Sequence, residues 1–598
     1  MKIIKKSFMF FGLALSLGLL ASCNNNSNEE GKYVVKDINI YRKKEAIDKK
    51  IGLRFYNDNP NVPYVGVKEY FKEFYNTDFT FDKDSNTYVF KKANKEYIKL
   101  NTKDDILEVV GLDELSIHPD FKSNTNKNFF QIDKKEKSKG QFKIVDLKNY
   151  DILTYSGEKD AYLPIGLLGC LYGGVEGYNV NYNGKDLYVF DLSGELSNGV
   201  TRDDEYYSDT YYTVLSSKDD RYEDLAKYNY NQLCFTFDNL RGYTTQLVFG
   251  DFNLQSIGLN GILETYYPDI KELLLSKKRS DYDKGIMLLF GGLYDGGHTG
   301  LLSKNPPVFS YYQELKDDPK FKDLVAKFMG RDEIKIKNRE AYSNMKVITL
   351  GIDYSTYKFG YYYDSTYKTA FIHFDKFVVD NEKWDKYYKG DKDILKELEK
   401  GMDDCFDTYA YVRNSFYKAK SDGATNVVLD FTTNGGGYVE AVMGVLGLIN
   451  KGKATHTATN IVDKSRYTDN YSIDINLDGK FDEADVEEAK KFDFKIVGLT
   501  SPVAFSSGNY LPAIMKSLGY KIIGDKSGGG NCALIKEATS DGYIYSRSGY
   551  LAVSDSLGNN IDSGVSVDYN LVSYKADGSL DLSKVYDVKT ISEYMNKL

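Results

Sequence analysis

Two glycine runs, a pair of serines and four histidines are the residues of this 598-residue chain whose types and spacing could do chemistry. Asn434-Gly435-Gly436-Gly437 follows an apolar run, Asn426 to Phe431, that reads as a buried strand, and a helix through Ile449 comes next. Successive glycines let backbone N–H groups converge on one space, where they can hold a phosphate or an oxyanion. The phosphate fingerprint GxGxxG fails because Glu440 stands in its last slot, and no Lys-Ser/Thr pair follows to make a Walker loop. Ser506 and Ser507 sit in a second unit of strand, turn, helix and strand from Ile496 to Gly524, with Gly528-Gly529-Gly530 just beyond. Serines at a helix start are commonly caps. A hydroxyl there also gains from the positive end of the dipole and from free amides that stabilise developing negative charge. Of His118, His298, His373 and His456, only His298 lies between glycines, in Tyr294-Asp295-Gly296-Gly297-His298-Thr299-Gly300. Such a loop can present an imidazole to a cleft, and an ordinary pKa of about 6.5 suits it to take a serine proton. His373, inside a strand, and His456, in a polar stretch expected to be a loop, read as structural.

Taken in order, these words resemble the C-terminal processing (tail-specific) serine protease family, which includes the tricorn core protease. The resemblance rests on Asp430 to Gly437 and on the block from Ile496 to Asn531, and it spans about 345–590. It implies a ClpP/crotonase-like α/β core of ββα units and hydrolysis of peptide bonds by a serine. One branch of the family uses a lysine in a Gly-Lys-Gly turn; here the turn reads Gly528-Gly529-Gly530-Asn531, and Lys526 lies on the wrong side of it. The tricorn-like Ser/His branch fits better. Its pattern makes Ser506 the nucleophile, with Ser507 as the lesser choice, and His298 the base. It gives the oxyanion to the amides of Gly436 or Gly437 and Ser507, and the orienting acid to Asp562. That branch usually has Glu, with its glycine at a different offset, so Asp568 and Asp295 stay open as substitutes. The competing reading is a non-catalytic lipoprotein on the same fold that holds peptide or glycan. An α/β-hydrolase esterase fails for want of a G-x-S-x-G elbow.

Between the two glycine words lies Asp474-Ile475-Asn476-Leu477-Asp478-Gly479-Lys480-Phe481-Asp482-Glu483-Ala484-Asp485. Oxygen side chains fall at Asp474, Asn476, Asp478, Asp482 and Asp485, with the Lys480 carbonyl between them and Gly479 at the sharp turn. That is the EF-hand ligand spacing, apart from Asp in place of the final bidentate Glu. Structural Ca²⁺ is expected there, and no organic cofactor is.

The elements that must position these groups fall into successive segments. Met1 to Ser22 joins Lys2, Lys5 and Lys6 to an apolar run from Phe8 to Leu20, too short for a permanent span of about 20 residues, and reads as a signal peptide. Leu20-Ala21-Ser22-Cys23 resembles the bacterial lipobox, which makes Cys23 a lipidation site and 23–32 a flexible tether. Residues 33–145 and 146–227 read as two small α+β modules, with helix signals at Val67–Tyr75 and Lys103–Val110. Residues 228–343 read as helical and carry His298; residues 344–598 read as the core, opening on a strand at Lys346–Gly351 and interrupted by the calcium insertion at 470–490.

Composition bounds the rest. Aromatic residues make up 15% of the chain, enough for a sizeable core. The net charge is −9, and with the leader lysines set aside the body is more acidic still, so no basic footprint for nucleic acid exists. Five scattered cysteines make neither a disulfide framework nor a zinc site. The expected protein is an extracytoplasmic, membrane-anchored serine endopeptidase acting on protein or peptide, of unspecified oligomeric state.

Overall fold

The computed structural model describes residues 32–42, 45–115, 127–173, 178–191, 220–242, 247–302, 308–351, 359–399, 405–575 and 579–598. The expected signal peptide, Cys23, nearly all of the tether and His118 lie outside the described residues. Among the described residues no helix is long and apolar enough to cross a membrane.

The chain has a mixed α/β architecture with several sheets. The sheet that matters most for the site runs in the order Phe359–Asp364, Thr369–Phe374, Asn426–Asp430, Lys495–Thr500, Lys521–Gly524, Tyr569–Asn570. After a first antiparallel pair, every neighbour is parallel. Val427, Val428 and Leu429 have no solvent exposure, the continuous apolar run of a strand covered on both faces. Thr408–Asp422, Val439–Ile449 and Ser507–Ser517 provide covering helices, the first capped by Asp407, whose side chain accepts from the Ala410 amide. Parallel register aligns strand ends: His373 pairs with Asp430, and Asp430 with Leu499. The loops that leave those ends therefore crowd together at one edge, where open α/β sheets place their ligand crevices.

A second sheet joins distant segments. Ile544–Val553 pairs with Gly300–Leu301, Lys453–Asn460 and Cys532–Ala538, and Arg466–Ile473 pairs with Phe130–Lys137. The short strand at Gly300 follows His298 directly, so this sheet fixes the histidine loop against the core.

The N-terminal part differs from the two-module expectation. Tyr33–Arg42, Glu45–Tyr56 and Asn59–Gly66 share one sheet with Ala161–Pro164, Tyr178–Tyr182 and Leu187–Asp191. Lys143–Asp146 closes a five-stranded sheet begun at Thr80–Asp84. The boundary drawn at 145/146 thus cuts through interleaved sheets that bury one core, from Ile38 to Val189. Two local expectations are also corrected. Lys103–Val110 is a turn followed by the strand Ile106–Val109, because Leu107 and Val109 alternate into the core with a period of two. Lys346–Gly351 is not a strand but the end of the 29-residue helix Lys322–Leu350. Its β-branched Val347 and Ile348 point outward, while Tyr342, Lys346 and Leu350 face inward, so burial at helical spacing overrides β-propensity.

Candidate active site

The strand Lys495–Thr500 ends in a turn that enters the helix Ser507–Ser517 through Ser506. Ser506 has φ 57° and ψ −122°, a left-handed backbone that a non-glycine residue adopts only at a cost of about 1–3 kcal/mol. It is the sharp strand-to-helix bend that lifts a hydroxyl clear of the sheet. Ser506 is half-buried, and its hydroxyl has no hydrogen-bond partner among the described residues. Ser507 is buried instead, and its hydroxyl donates to the Gly437 carbonyl at 2.6 Å. Of the two, Ser506 has the free nucleophile geometry.

The glycine turn meets it face to face. Gly436 has φ 111°, and a Cβ there would lie 2.7 Å from the Ser506 Cβ, so only glycine allows the approach. Asn434 locks the arrangement: its amide donates to the Phe374 carbonyl at 2.9 Å, its side-chain oxygen accepts from the Gly436 amide at 2.8 Å, and its carbonyl accepts from the Phe505 amide at 3.0 Å. This corrects the expected oxyanion set, because the Gly436 amide is already spent on Asn434. The amides of Gly437 and Ser507 have no acceptor among the described residues. They are the pair that can receive an oxyanion.

His298 is buried, with its ring edge-on to Phe505, the residue before Ser506, at 4.8 Å between centroids. No hydrogen bond joins His298 to Ser506 among the described residues; without substrate such bonds are commonly long. The His298 Nδ1 faces the Ser548 hydroxyl at 3.4 Å, and that hydroxyl donates to Asp295 at 2.8 Å. Asp295 also accepts from the amides of His298 and Thr299 at 3.0 and 2.9 Å and from the Thr299 hydroxyl at 2.7 Å. Burial pushes the Asp295 pKa up, but the His298 charge and these donors hold it below the ordinary value of 3.8. Burial lowers His298 from 6.5; Asp295 opposes that shift and Lys335 adds to it.

Asp562 does not orient this imidazole. It is buried under the other glycine turn, where its carboxylate accepts from the Asn531 amide at 3.3 Å and its carbonyl from the Gly530 amide at 3.1 Å. Gly529 in turn accepts from the Ser506 amide at 2.9 Å. The carboxylate coupled to His298 is Asp295, three residues before it in the chain. Asp568 is elsewhere too, accepting from the Ile522 amide at 2.9 Å.

A set of charges escaped the sequence reading altogether. Lys346, fully buried, lies 2.9 Å from the His373 Nδ1, 2.8 Å from the Thr433 hydroxyl and 3.5 Å from Asp430. His373 also lies 2.8 Å from Asp375 and 3.2 Å from Asp430. Burial works to raise the Asp430 pKa, yet Lys346 and His373 hold it well below the usual carboxylate range; Asp375 is held at about 2 against the same penalty. Burial pulls Lys346 down from 10.5. An Asp ending an all-apolar strand, beside a His ending the next, was the available signal. His456, expected in a loop, lies in the strand Lys453–Asn460, where it meets the Tyr510 hydroxyl at 3.0 Å and burial lowers its pKa to about 4.

In the acidic loop, Asp474 accepts from the Gly479 amide at 2.8 Å and from the Tyr388 hydroxyl at 2.9 Å. Asp485 accepts from the amides of Ile475 and Asp482 at 2.6 and 3.1 Å, and Asp482 caps the helix Glu483–Lys490. Among the described residues no group of three or more His, Cys, Asp or Glu side chains converges to hold an ion.

Residues 369–571, the segment holding the glycine turn and both serines, match the family model of peptidase family S41. The chain carries a peptidase family S41 domain. Over that segment the chain is similar to the peptidases of family S41. Solved structures similar to this chain include a candidate peptidase from Parabacteroides merdae, 15% identical, covering 56% of this chain and 89% of that one with a TM-score of 0.35. The photosystem II D1 C-terminal processing protease is 19% identical over 37% of this chain and 46% of its own, with a TM-score of 0.24. A lipoprotein from Streptococcus agalactiae is 12% identical over 55% of this chain and 88% of its own, with a TM-score of 0.29. No curated protein matches the chain.

Proposed function

We propose that the chain is an extracytoplasmic, lipid-anchored endopeptidase that cleaves peptide bonds through an acyl-enzyme, on a ClpP/crotonase-like core. The single observation that carries the catalytic part is Ser506, held in a left-handed turn at a helix start, facing Gly436 and beside two amides without acceptors. The Ser506 oxygen attacks the scissile carbonyl carbon while His298 takes its proton, and the amides of Gly437 and Ser507 receive the oxyanion. Collapse breaks the C–N bond, and the proton on His298 leaves with the amine. Water then attacks the ester carbon, His298 again taking a proton, and as the acyl C–O bond breaks that proton passes to the Ser506 oxygen and the acid product leaves. Asp295, directly and through Ser548, steadies the imidazole.

Fluorophosphonate labelling tests this reading. The wild-type chain should be labelled at Ser506 and Ser506→Ala should be neither labelled nor active; labelling that persists in the variant would remove Ser506 from the mechanism. The anchor rests on Leu20-Ala21-Ser22-Cys23, and metabolic labelling with a palmitate analogue should be lost in Cys23→Ser. Structural calcium in 474–485 rests on the oxygen spacing and on the sharp turn at Gly479, φ 80°. If Asp474, Asn476, Asp478, Asp482, Asp485 and the Lys480 carbonyl hold the ion, it ties this insertion to the core, and EDTA should lower the melting temperature.

A further inference from the structure

A cavity of about 560 Å³ opens beside the histidine loop, and the catalytic steps above leave it unused. Its body is apolar: Met287 and Phe290 come from the helix Arg279–Gly292, Phe328, Met329 and Ile336 from the long helix, and Leu301 from the strand after His298. Ile336, which also lines the cavity, is 50% exposed. Gly297 and Thr299, on either side of His298, form part of the wall.

The mouth is cationic. Lys335 donates to the Gly296 carbonyl at 2.5 Å and lies over the Phe505 ring at 4.8 Å; Arg339 donates to the Thr433 carbonyl at 2.7 Å. Neither forms an ion pair with a carboxylate among the described residues. Asp332 also lines the cavity, and both it and Asp295 act electrostatically on Lys335 without forming an ion pair with it. Burial lowers the Lys335 pKa and Arg339 adds to that shift, while Asp332 and Asp295 oppose it.

From this geometry we infer that the cavity is a specificity site for the leaving-group side of the substrate. It takes a large apolar side chain whose neighbouring carboxylate rests against Lys335 and Arg339. This rests on His298 acting as the base, because the base hands its proton to the departing amine, and the cavity wall is built from the residues on either side of it. The carboxylate can be a chain terminus or an Asp or Glu side chain; the same two cations serve either.

Fluorescent peptides binding to the Ser506→Ala chain test the site without turnover. Peptides carrying Leu after the scissile bond should bind at least about tenfold tighter than the same peptides with Ala. Replacing the carboxylate should weaken binding about tenfold. Terminal acid against amide, and Glu against Gln, are run as separate arms to tell the two sources apart. Met329→Trp, which fills the cavity, and Ile336→Glu, at an exposed position that adds a negative charge, should each erase the preference for Leu. Equal binding of Leu and Ala peptides, or a preference surviving both variants, overturns the proposal. If the Leu preference holds while wild-type Ser506 resists the fluorophosphonate, the catalytic reading falls with the leaving-group assignment, and the cavity stands as a peptide-binding pocket.

Discussion

His298 and His373 are both buried and both beside aspartates, yet they are held in opposite ways. His298 sits on a loop freed by glycines, with one hydroxyl and one adjacent carboxylate behind it and an aromatic ring in front. His373 is fixed in a strand and closed in by Lys346, Asp375 and Asp430, with Thr433 completing the cluster. A base must lose and gain a proton during each turnover, so one weakly held nitrogen suits it. His373, fixed in its strand among Lys346, Asp375 and Asp430, serves instead as a strut under the turn from Thr433 to Gly437.

The comparison breaks most sharply in activity. His298→Gln should lower kcat by about 10²–10⁴-fold with little change in melting temperature, measured on any peptide the wild type cleaves. A variant that keeps full rate would end the distinction. On the other side, Lys346→Met should cost about 3–5 kcal/mol of stability, read by urea unfolding, because it leaves buried aspartates without their cation. Ser548→Ala removes one modest hydrogen bond behind His298 and should reduce kcat by up to about tenfold, consistent with a net worth of about 0.5–1.5 kcal/mol.

Smaller effects sharpen the electrostatics. Because the His298 pKa is lowered from 6.5, the imidazole is neutral and competent above a value below 6.5, and activity should fall as pH drops through it. Lys335→Met removes a charge that helps lower that pKa, so the acid limb should move up. Asp375 has the opposite sign: its folded pKa of about 2 lies under the ordinary 3.8, so its contribution to stability is complete above 3.8 and is lost as pH falls toward 2. An acid-unfolding midpoint unaffected by Asp375→Asn would count against the strut. The smallest shift expected is the fall in melting temperature with EDTA, which reports on the 474–485 loop alone.

How much of this was legible follows from how local each constraint is. The turns at 434–437 and 506–507 could be read because a positive φ and a close backbone approach demand glycine, and a helix start with free amides draws serine. His298 could be read because glycines surround it. The sequence put Asp562 first as the orienting acid and left Asp568 and Asp295 open; it could not choose Asp295 because Ser548, which bridges that carboxylate to the imidazole, stands 250 positions from His298. The lysine of the strut was hidden because Val347, Ile348 and Leu350 give its segment the composition of a strand. Only packing showed it to be the last turns of a helix whose inner face carries Lys335, Arg339, Tyr342 and Lys346 along the site.

The sequence by itself determined the parts whose chemistry is written into a few consecutive residues: the glycine turns, the serine at the bend, the histidine between glycines and the acidic loop. Tertiary structure alone decided which amide of the glycine turn stays open, which carboxylate serves His298 and which charges support the turn from below. Those choices depend on pairings across strand register and along one long helix, where partners are dozens to hundreds of residues apart and no local pattern records the contact.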